Sequence, residues 1–285
     1  MILHEFPNLQ WLKNQADDRF SNRKAWDGRT LSTAGWPTVI LNTKTQSTLR
    51  DNIRGPLSIF ANLSGQSIVT AGSKRMIVKE DFFCITNSSQ HYTLEINSQK
   101  PTETFNIHFG DSFAENVLTS LSQNPEGLLE NKDTTCSLEF QNRLVRFNDT
   151  SQSIVKEIHS NKNLDPIFQE EKLYLLLQNL LLEEKRVQKI QQQLPVLKSS
   201  TKKEIFDRLL LATDYIYTFY DQKISLEELS QACCLSKFHF LRLFKIAFDK
   251  TPYQYINEVR VQRAKELLSK SKLEVKVIAQ LTGFD

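Results

Sequence analysis

Two cationic and two bulky apolar side chains share one face of a short segment near the carboxyl end of the chain. In SKFHFLRLFKIAF, Phe238, Leu241, Arg242 and Lys245 form one stripe if the segment is helical. Arg and Lys bind phosphates and guanine edges, and apolar side chains contact thymine methyls, so the combination fits the major groove of DNA. Packing of Phe238 and Leu241 against the neighbouring domain explains the stripe equally well.

The residues around this stripe predict a helix-turn-helix. Ser236 is expected to cap the stripe's helix, and the opposite face should be the core, formed by Phe240, Leu243, Phe244 and Ala247. A shorter helix precedes it, and there Ser225 and Glu228 have the spacing of a capping box. Its buried face is predicted to contain Leu226, Leu229, Ala232 and Cys233. The adjacent pair Cys233 and Cys234 is interpreted as two small core residues of one helix.

A third helix and an internal repeat follow. Thr251 and Pro252 are expected to cap and open the helix TPYQYINEVRVQRAKELLSK. Setting residues 226–236 against residues 275–285, an offset of 49, aligns mostly apolar with apolar positions. We therefore expect a DNA-binding domain made of two helix-turn-helix units. This chain is expected to hold one complete unit and only the start of the second, and so to be truncated. The segment after Lys272 should then be poorly packed and DNA binding weak.

These residues resemble the AraC/XylS family of bacterial transcription regulators. The resemblance covers roughly residues 202–285. It rests on the S-x-x-x-F-x-R-x-F-K recognition helix, the P-x-x-Y-I-x-x-x-R-x-x-x-A-x-x-L-L linker helix and the I-A-x-x-x-G-F opening of the second unit. It implies a DNA-binding site of six residues: Ser236, Lys237, Phe238, Leu241, Arg242 and Lys245. Among them Phe238, Leu241 and Arg242 are expected at bases, with Lys237 and Lys245 near the backbone.

Three departures from the family pattern bear on this site. Leu241 stands where a polar residue is frequent, so readout there should be apolar, through a thymine methyl. Cys234 and Asp249 stand where the family often has glycine, which puts the geometry of the turn and of the helix end in question. The resemblance also implies that Arg260 and Ala264 are mainly structural.

The amino-terminal part has a different pattern. From about residue 38 to 110, short alternating segments between turn signals predict a small antiparallel sandwich or barrel. The stretch KEDFFCITNSSQHYTLEI resembles the second half-motif of a cupin-like effector domain, with Asp81 and His91 at matching places. The predicted fold class is therefore α+β: a cupin-like antiparallel β-barrel with helices, followed by an all-α helix-turn-helix domain.

The resemblance implies an unknown small-molecule effector bound in this barrel. The candidate lining residues are Trp26, Trp36, Phe60, His91 and His108, although aromatic residues in a sandwich are more often plain core. The H-x-H pair, glutamate and later histidine of metal-binding cupins are absent as a set. Structural roles are therefore favoured for His91 and His108, and no metal is expected.

Helical periodicity from about residue 112 to 194 ends in a leucine stripe. Leu173, Leu180, Val187 and Leu194 lie seven residues apart, with Glu183 interrupting the stripe. A dimer helix and a helix packed on its own sheet explain this spacing about equally well. We expect a homodimer through residues 166–194, with an effector-binding and dimerisation domain at 1–195 and the DNA-binding domain at 196–285.

Composition fits a globular protein in the cytoplasm. The 285 residues are 40% hydrophobic and 24% charged, and the excess of three positive charges lies from Lys202 onward, with 14 Lys and Arg against 11 Asp and Glu. The amino terminus lacks the pattern of a secretory signal, and no segment reaches membrane-spanning length. Cytoplasmic location and no membrane partner are therefore expected.

The leading hypothesis is a sequence-specific, effector-controlled transcription regulator without enzymatic activity, catalytic residues or a cofactor. Its expected partners are double-stranded operator DNA, a second copy of the chain, the effector and RNA polymerase. One alternative is a cupin-type binding protein or enzyme whose helical domain mediates protein contacts. Another is a regulator controlled by a protein partner with no small effector.

Overall fold

The structure is a computed structural model, and it describes residues 1–14, 36–122, 139–161, 165–196 and 198–284. The chain forms two compact units, Met1–Glu184 and Lys185–Asp285. The predicted domain boundary at 195–196 lies after this division and stays a prediction. Within the described ranges, none of the helices combines the length and apolar character that crossing a membrane requires.

The described part of the amino-terminal unit contains ten strands. They are β1 (Ile2–Leu3), β2 (Val39–Leu41), β3 (Lys44–Arg54), β4 (Ser58–Ser64), β5 (Ser67–Ala71), β6 (Lys74–Val78), β7 (Phe82–Thr86), β8 (His91–Thr104), β9 (Asn106–His108) and β10 (Leu144–Arg146). The strand order is β1-β2-β9-β4-β8-β5-β6, with β3 paired to β8 and β7 paired to both β4 and β10. All pairs are antiparallel except β1 with β2.

The order of the elements along the chain confirms the predicted α+β class, with the β-rich part first and the helical part second. The alternating segments predicted from residue 38 to 110 form strands, some with one buried face and some, such as β7, buried on both faces. In β5, for example, Ser67, Val69 and Ala71 are buried while Ile68 and Thr70 are partly exposed. Strand β3 was not predicted, because KTQSTLRDNIR is too polar to show alternation.

Residues 9–14 are helical, and three further helices lie in the first part of the chain: α1 (Asp111–Ser122), α2 (Asp149–Ser160) and α3 (Pro166–Gln192). The sheet and these helices share one core. On the sheet it contains Ile59, Phe83, Phe105, Ile107 and Phe109, and on α3 it contains Leu173, Leu176, Leu177, Leu180 and Leu181. Apolar side chains of the sheet and of α3 are thereby buried against each other, and this burial of apolar surface is the main contribution to the stability of such a unit.

The leucine stripe of α3 is therefore an intramolecular packing face over its first half. Leu173 and Leu180 are buried in the core of their own unit, so they cannot form the dimer contact predicted for the stripe. That part of the prediction was wrong, because the same spacing of leucines suits a helix that packs on its own sheet. Val187 is only partly buried.

The second unit contains five described helices. After the end of α3 they are α4 (Ser199–Phe219), α5 (Leu226–Ala232), α6 (Lys237–Phe248), α7 (Pro252–Lys270) and α8 (Val275–Leu281). Helix α4 contacts both α5 and α6, and α7 contacts α6 and α8. The core of this unit is rich in aromatic rings, with Phe244 lying 4.5 Å from Phe248 and 5.6 Å from Tyr255 between ring centroids.

Candidate DNA-binding surface and ligand cavity

Helices α5 and α6 are joined by a four-residue turn of defined geometry. The predicted capping box of α5 is present: Ser225 Oγ accepts from the Glu228 N–H, and the Glu228 carboxylate accepts from the Ser225 N–H. The Ser225 N–H and, second, the Ser225 hydroxyl both donate to the Glu228 carboxylate, and these two bonds lower the pKa of the Glu228 carboxyl. The cap begins α5 at the residue that the sequence indicates.

The carboxyl end of α5 is a Schellman motif with cysteine in the position usual for glycine. The Cys234 N–H donates to the Gln231 carbonyl at 2.9 Å, and the Leu235 N–H donates to the Ser230 carbonyl at 3.0 Å. Cys234 has a φ of 51°, in the left-handed region. Cys233 is buried as predicted, but Cys234 is exposed in the turn, so the prediction of two core cysteines was wrong for Cys234.

Helix α6 has the two opposite faces predicted for it. Ser236 caps the helix by accepting from the His239 N–H at 3.4 Å. The four predicted core residues Phe240, Leu243, Phe244 and Ala247 are buried, and Phe240 and Phe244 are fully so. The helix ends at Asp249, which has a left-handed φ of 53°. This buried face fixes the rotation of α6 and thereby turns the other stripe outward.

The outward stripe contains Phe238, Leu241, Arg242 and Lys245, all of which are exposed. Phe238 exposes 75% of its surface, which is unusual for a phenylalanine. Arg242 and Lys245 make no hydrogen bond or ion pair with any residue that the structure describes. Their cationic groups are thus available to a phosphate or a base edge.

Lys237 differs from the other two cations of α6. Its ammonium group forms an ion pair with Glu227 of α5, and both side chains are about half exposed. The pair links the first residue of the exposed helix to the helix before it. In the free protein this charge is therefore partly neutralised, which sequence spacing of ten residues did not indicate.

Helix α7 holds the end of the second unit in place. Thr251 caps it and Pro252 is its first residue, as predicted. Arg260 donates from Nε to the Tyr220 carbonyl and from Nη2 to the Gln222 carbonyl, both at 2.7 Å. These bonds satisfy backbone acceptors in the turn after α4, which is a structural role of the kind expected for this residue.

The 49-residue repeat is present in the backbone. Helices α5 and α8 are both seven residues long and begin and end 49 residues apart. Leu229 of α5 and Ile278 of α8 are buried at equivalent positions. Residues after Lys272, expected to be poorly packed, thus form a helix with a buried anchor, although Leu273, Val275 and Leu281 remain exposed.

A cavity of about 140 Å³ lies in the amino-terminal unit. Strands β3, β4, β8 and β9 contribute Arg50, Phe60, Tyr92 and His108 to its wall. Residues near the amino terminus cover it, among them Phe6 and Trp11. The register explains the grouping, because Ser58 of β4 pairs with His108 of β9 and Ile53 of β3 pairs with Tyr92 of β8.

Three of the proposed effector contacts, Trp36, Phe60 and His108, line this cavity together. His91 does not: it is exposed at the start of β8, where Nδ1 lies 3.0 Å from Asn52 Oδ1. The suggestion that His91 lines the pocket is corrected accordingly, because its position in β8 turns it to solvent. Trp26 lies outside the described residues.

His108 is held as a neutral imidazole. The Ser58 hydroxyl donates to the Pro56 carbonyl at 2.8 Å and so accepts from His108 Nδ1, also at 2.8 Å. Burial lowers the pKa of His108 to about 4. At neutral pH the ring therefore adds no charge to the cavity.

Comparison with known families bears on the second unit. A family model described as a helix-turn-helix domain matches residues 229–285, from within α5 to the end of the repeat. The carboxy-terminal unit carries an AraC-type helix-turn-helix domain. The resemblance found in the sequence is confirmed for this segment.

Curated relatives match the same end of the chain. The probable transcriptional regulator LumQ of Photobacterium leiognathi is 36% identical over 76 residues, which is 27% of this chain and 31% of LumQ. The MmsAB operon regulatory protein of Pseudomonas aeruginosa is 31% identical over 108 residues, 38% of this chain and 34% of that protein. The chain thus matches about a third of the length of each of these relatives.

Among solved structures, ToxT from Vibrio cholerae is similar over 87% of this chain and 90% of its own, with 12% sequence identity and a TM-score of 0.35.

Sequence reasoning missed several polar residues that line the cavity of the first unit. Arg50 lies in the unpredicted strand β3, and Asn106 and Tyr92 lie on predicted strands without a motif to mark them. Only the folded sheet brings these positions together. In the second unit, by contrast, the outward stripe lies on one helix, so periodicity alone could find it.

Proposed function

We propose that this protein is a sequence-specific DNA-binding transcription regulator. The observation that carries the proposal is the exposed stripe of α6. Phe238, Arg242 and Lys245 face solvent from a helix whose other side is fixed in a core. A major groove offers phosphates, guanine edges and thymine methyls to such a set. Ser236 and Lys237 at the start of the helix and Leu241 within the stripe complete the proposed site.

The cavity of the amino-terminal unit is proposed as the site of a small effector. Its wall is mostly apolar with a few polar groups, which is the usual composition of small-molecule sites. Trp36, Phe60 and His108 are the proposed contacts. In this proposal the protein binds the effector without converting it, and the bound ligand changes the affinity for DNA.

A homodimer is part of the same proposal, because two readers on neighbouring half-sites give specificity that one lacks. We propose that the dimer surface is the outward face of α3, because the inward face belongs to the core of its own unit. Ile167, Leu175 and Leu182 are exposed there. We further propose that the regulator acts in the cytoplasm on operator DNA and there also contacts RNA polymerase.

Selection from a random library of double-stranded DNA with the purified chain tests the proposal. We expect enrichment of a defined sequence, bound at least a hundredfold more tightly than a scrambled duplex of the same composition. Arg75→Ala, on an exposed residue of β6, is the matched control and should bind as the wild type does. Failure to enrich any sequence at low salt, with the second unit folded, would contradict the proposal.

A further inference from the structure

Among the described residues, four buried side-chain nitrogens of the amino-terminal unit have no hydrogen-bond partner, and three of them belong to residues that line one cavity. These three atoms are Trp36 Nε1, Arg50 Nη2 and Asn106 Nδ2. Trp36, Arg50 and Asn106 expose 8%, 8% and 1% of their residue surface. A buried donor without an acceptor costs about 1–3 kcal/mol, so such groups are rare unless a site requires them.

All three groups present donors only, so the missing partner must be an acceptor. The indole nitrogen and the guanidinium cannot accept a hydrogen bond. The amide of Asn106 is oriented by its other end, because Oδ1 accepts from the Ala61 N–H at 3.2 Å. This bond leaves Nδ2 as the end that needs an acceptor.

Charge narrows the class of acceptor. The Arg50 guanidinium lies 5.5 Å from the centroid of the Phe6 ring, and burial lowers its pKa. No aspartate or glutamate is among the described residues that line the cavity. Two further residues of the wall carry cationic groups that already have acceptors: Arg54 donates to Ser89 through Nε and Nη2, and the Met1 ammonium group donates to the Thr38 carbonyl. A buried cation without a counter-ion favours an anion with planar, paired oxygens.

We propose that the cavity binds a small, mostly apolar monocarboxylate whose carboxylate group contacts Arg50, with Asn106 and Trp36 as additional donors. This inference rests on the proposed effector role of the cavity and names its ligand class. A cavity of about 140 Å³ is close in size to engineered apolar cavities that hold a benzene-sized molecule. The aromatic side chains of Phe6, Trp11 and Phe60 suit an apolar body.

Other ligand classes fit less well. A sugar presents many hydroxyl donors, which would need acceptors that this mostly apolar wall does not supply. A phosphate ester carries close to two charges, of which the single unpaired guanidinium of Arg50 would neutralise only one, so the second charge would be buried without a partner. A monocarboxylate offers acceptors to the three donors and one negative charge to Arg50. Its apolar body is removed from water by filling the rest of the cavity, which favours binding.

The experiment measures binding of two acids and their neutral amides to the full chain. Benzoate and hexanoate are compared with benzamide and hexanamide by calorimetry and by the rise in Tm, at pH 7 without DNA. Tryptophan fluorescence is a third readout, because Trp11 and Trp36 lie in the wall. We expect at least one acid to bind tenfold or more tightly than its amide.

Two variants and a control locate the site. Arg50→Met should remove the preference for the acid while leaving the Tm of the free protein unchanged or higher, because an unpaired buried cation is lost. Asn106→Asp keeps the acceptor for Ala61 and adds a negative charge, so it should weaken acid binding at least tenfold. Arg75→Met makes the same change as Arg50→Met at an exposed position and should bind as the wild type does.

The inference is overturned if no acid binds the folded wild type, if the amides bind equally well, or if Arg50→Met retains the preference. DNA binding by the same preparations is measured in parallel. Specific DNA binding without any acid binding contradicts only the ligand class. Absence of specific DNA binding by the folded wild-type protein contradicts the proposed function instead.

Discussion

Cys234 and Gly283 occupy equivalent positions 49 residues apart, each as the left-handed residue after a seven-residue helix. Their φ values are 51° and 77°. Beside them the Leu235 N–H donates to the Ser230 carbonyl at 3.0 Å, and the Phe284 N–H donates to the Ala279 carbonyl at 2.9 Å. The same end motif thus closes both units of the repeat, with cysteine in one and glycine in the other.

This relationship predicts substitutions of opposite sign. Cys234→Gly should raise the free energy of unfolding by about 0.5–1 kcal/mol, because a side chain in the left-handed region costs about 1–2 kcal/mol and glycine returns part of that gain as chain entropy. Gly283→Ala should lower it by at least about 1 kcal/mol. The added Cβ would lie 2.8 Å from the Tyr220 carbonyl oxygen, at a strained φ.

Urea unfolding followed by far-UV circular dichroism measures both changes. Cys234→Ala is the control, since it removes the thiol but keeps the strained backbone. It should leave stability near that of the wild type. A stability gain in Cys234→Ala equal to that in Cys234→Gly would show that the thiol, and not the backbone conformation, is the cause.

The ion pair between Lys237 and Glu227 should restrain DNA binding. Glu227→Gln frees the ammonium group of Lys237 for a phosphate and removes a negative charge from its side. We expect tighter binding and a salt dependence steeper by about one unit in the plot of log K against log salt concentration. Fluorescence anisotropy with a selected duplex at several salt concentrations provides the measurement.

Glu258→Gln is the matched control for that variant. Glu258 also pairs with a lysine, Lys250, but on α7 instead of the exposed helix. It should leave the salt slope unchanged. Equal slopes in the wild type and Glu227→Gln would mean that Lys237 does not reach a phosphate.

The two faces of α3 should respond differently to charge. Leu180→Glu should destabilise the amino-terminal unit by about 3–5 kcal/mol, because it buries a carboxylate without a partner in the core. Leu182→Glu lies on the exposed face and should change stability by less than about 0.5 kcal/mol. Thermal unfolding separates the two.

Light scattering then tests the proposed dimer. Folded Leu182→Glu should be monomeric at concentrations where the wild type is dimeric. A wild type that is monomeric at all concentrations, or a Leu182→Glu protein that remains dimeric, excludes this face as the dimer surface.

His108 should make stability depend on pH. Its folded pKa of about 4 lies below the value of about 6.5 expected in the unfolded chain, so the unfolded state takes up a proton first as the pH falls. The stabilisation is present above pH 6.5 and declines below it. Between pH 7 and pH 5 the loss should be about 2 kcal/mol.

Urea unfolding followed by tryptophan fluorescence measures this loss. All three tryptophans lie within the first 36 residues of the sequence, so the signal reports on the amino-terminal unit that contains His108. His108→Gln keeps a hydrogen-bonding group for Ser58 and does not titrate. Its stability should therefore fall by about 2 kcal/mol less over the same range. Parallel curves for the two proteins would show that His108 is not the group responsible.

The sequence predicted the second unit in more detail than the first for a physical reason. Helix caps such as Ser225, Ser236 and Thr251 act within three residues along the chain, so their effect is visible locally. The burial of Phe240 and Phe244 follows from helical periodicity in the same way. Cys234 could be marked only as a departure, since its φ depends on the turn.

The cavity and the role of α3 could not be predicted from local pattern. Arg50 and Asn106 are 56 residues apart and lie on different strands, so only the sheet register brings them to one wall. For α3, the same spacing of leucines is expected whether the helix packs against a second copy in a dimer or against the sheet of its own unit. The buried contacts of Leu173 and Leu180 decide between them, and these belong to the tertiary fold.

The central claim is that the exposed face of α6 reads DNA sequence, and the comparison of Arg242→Ala with Lys245→Ala tests it most directly. Both variants are titrated with the selected duplex and with versions altered at single base pairs. Arg242→Ala should lose about 1–3 kcal/mol of binding and its preference at one base pair, while Lys245→Ala should weaken binding to all sequences alike. A folded Arg242→Ala protein with wild-type affinity and wild-type preference at every position would contradict the account.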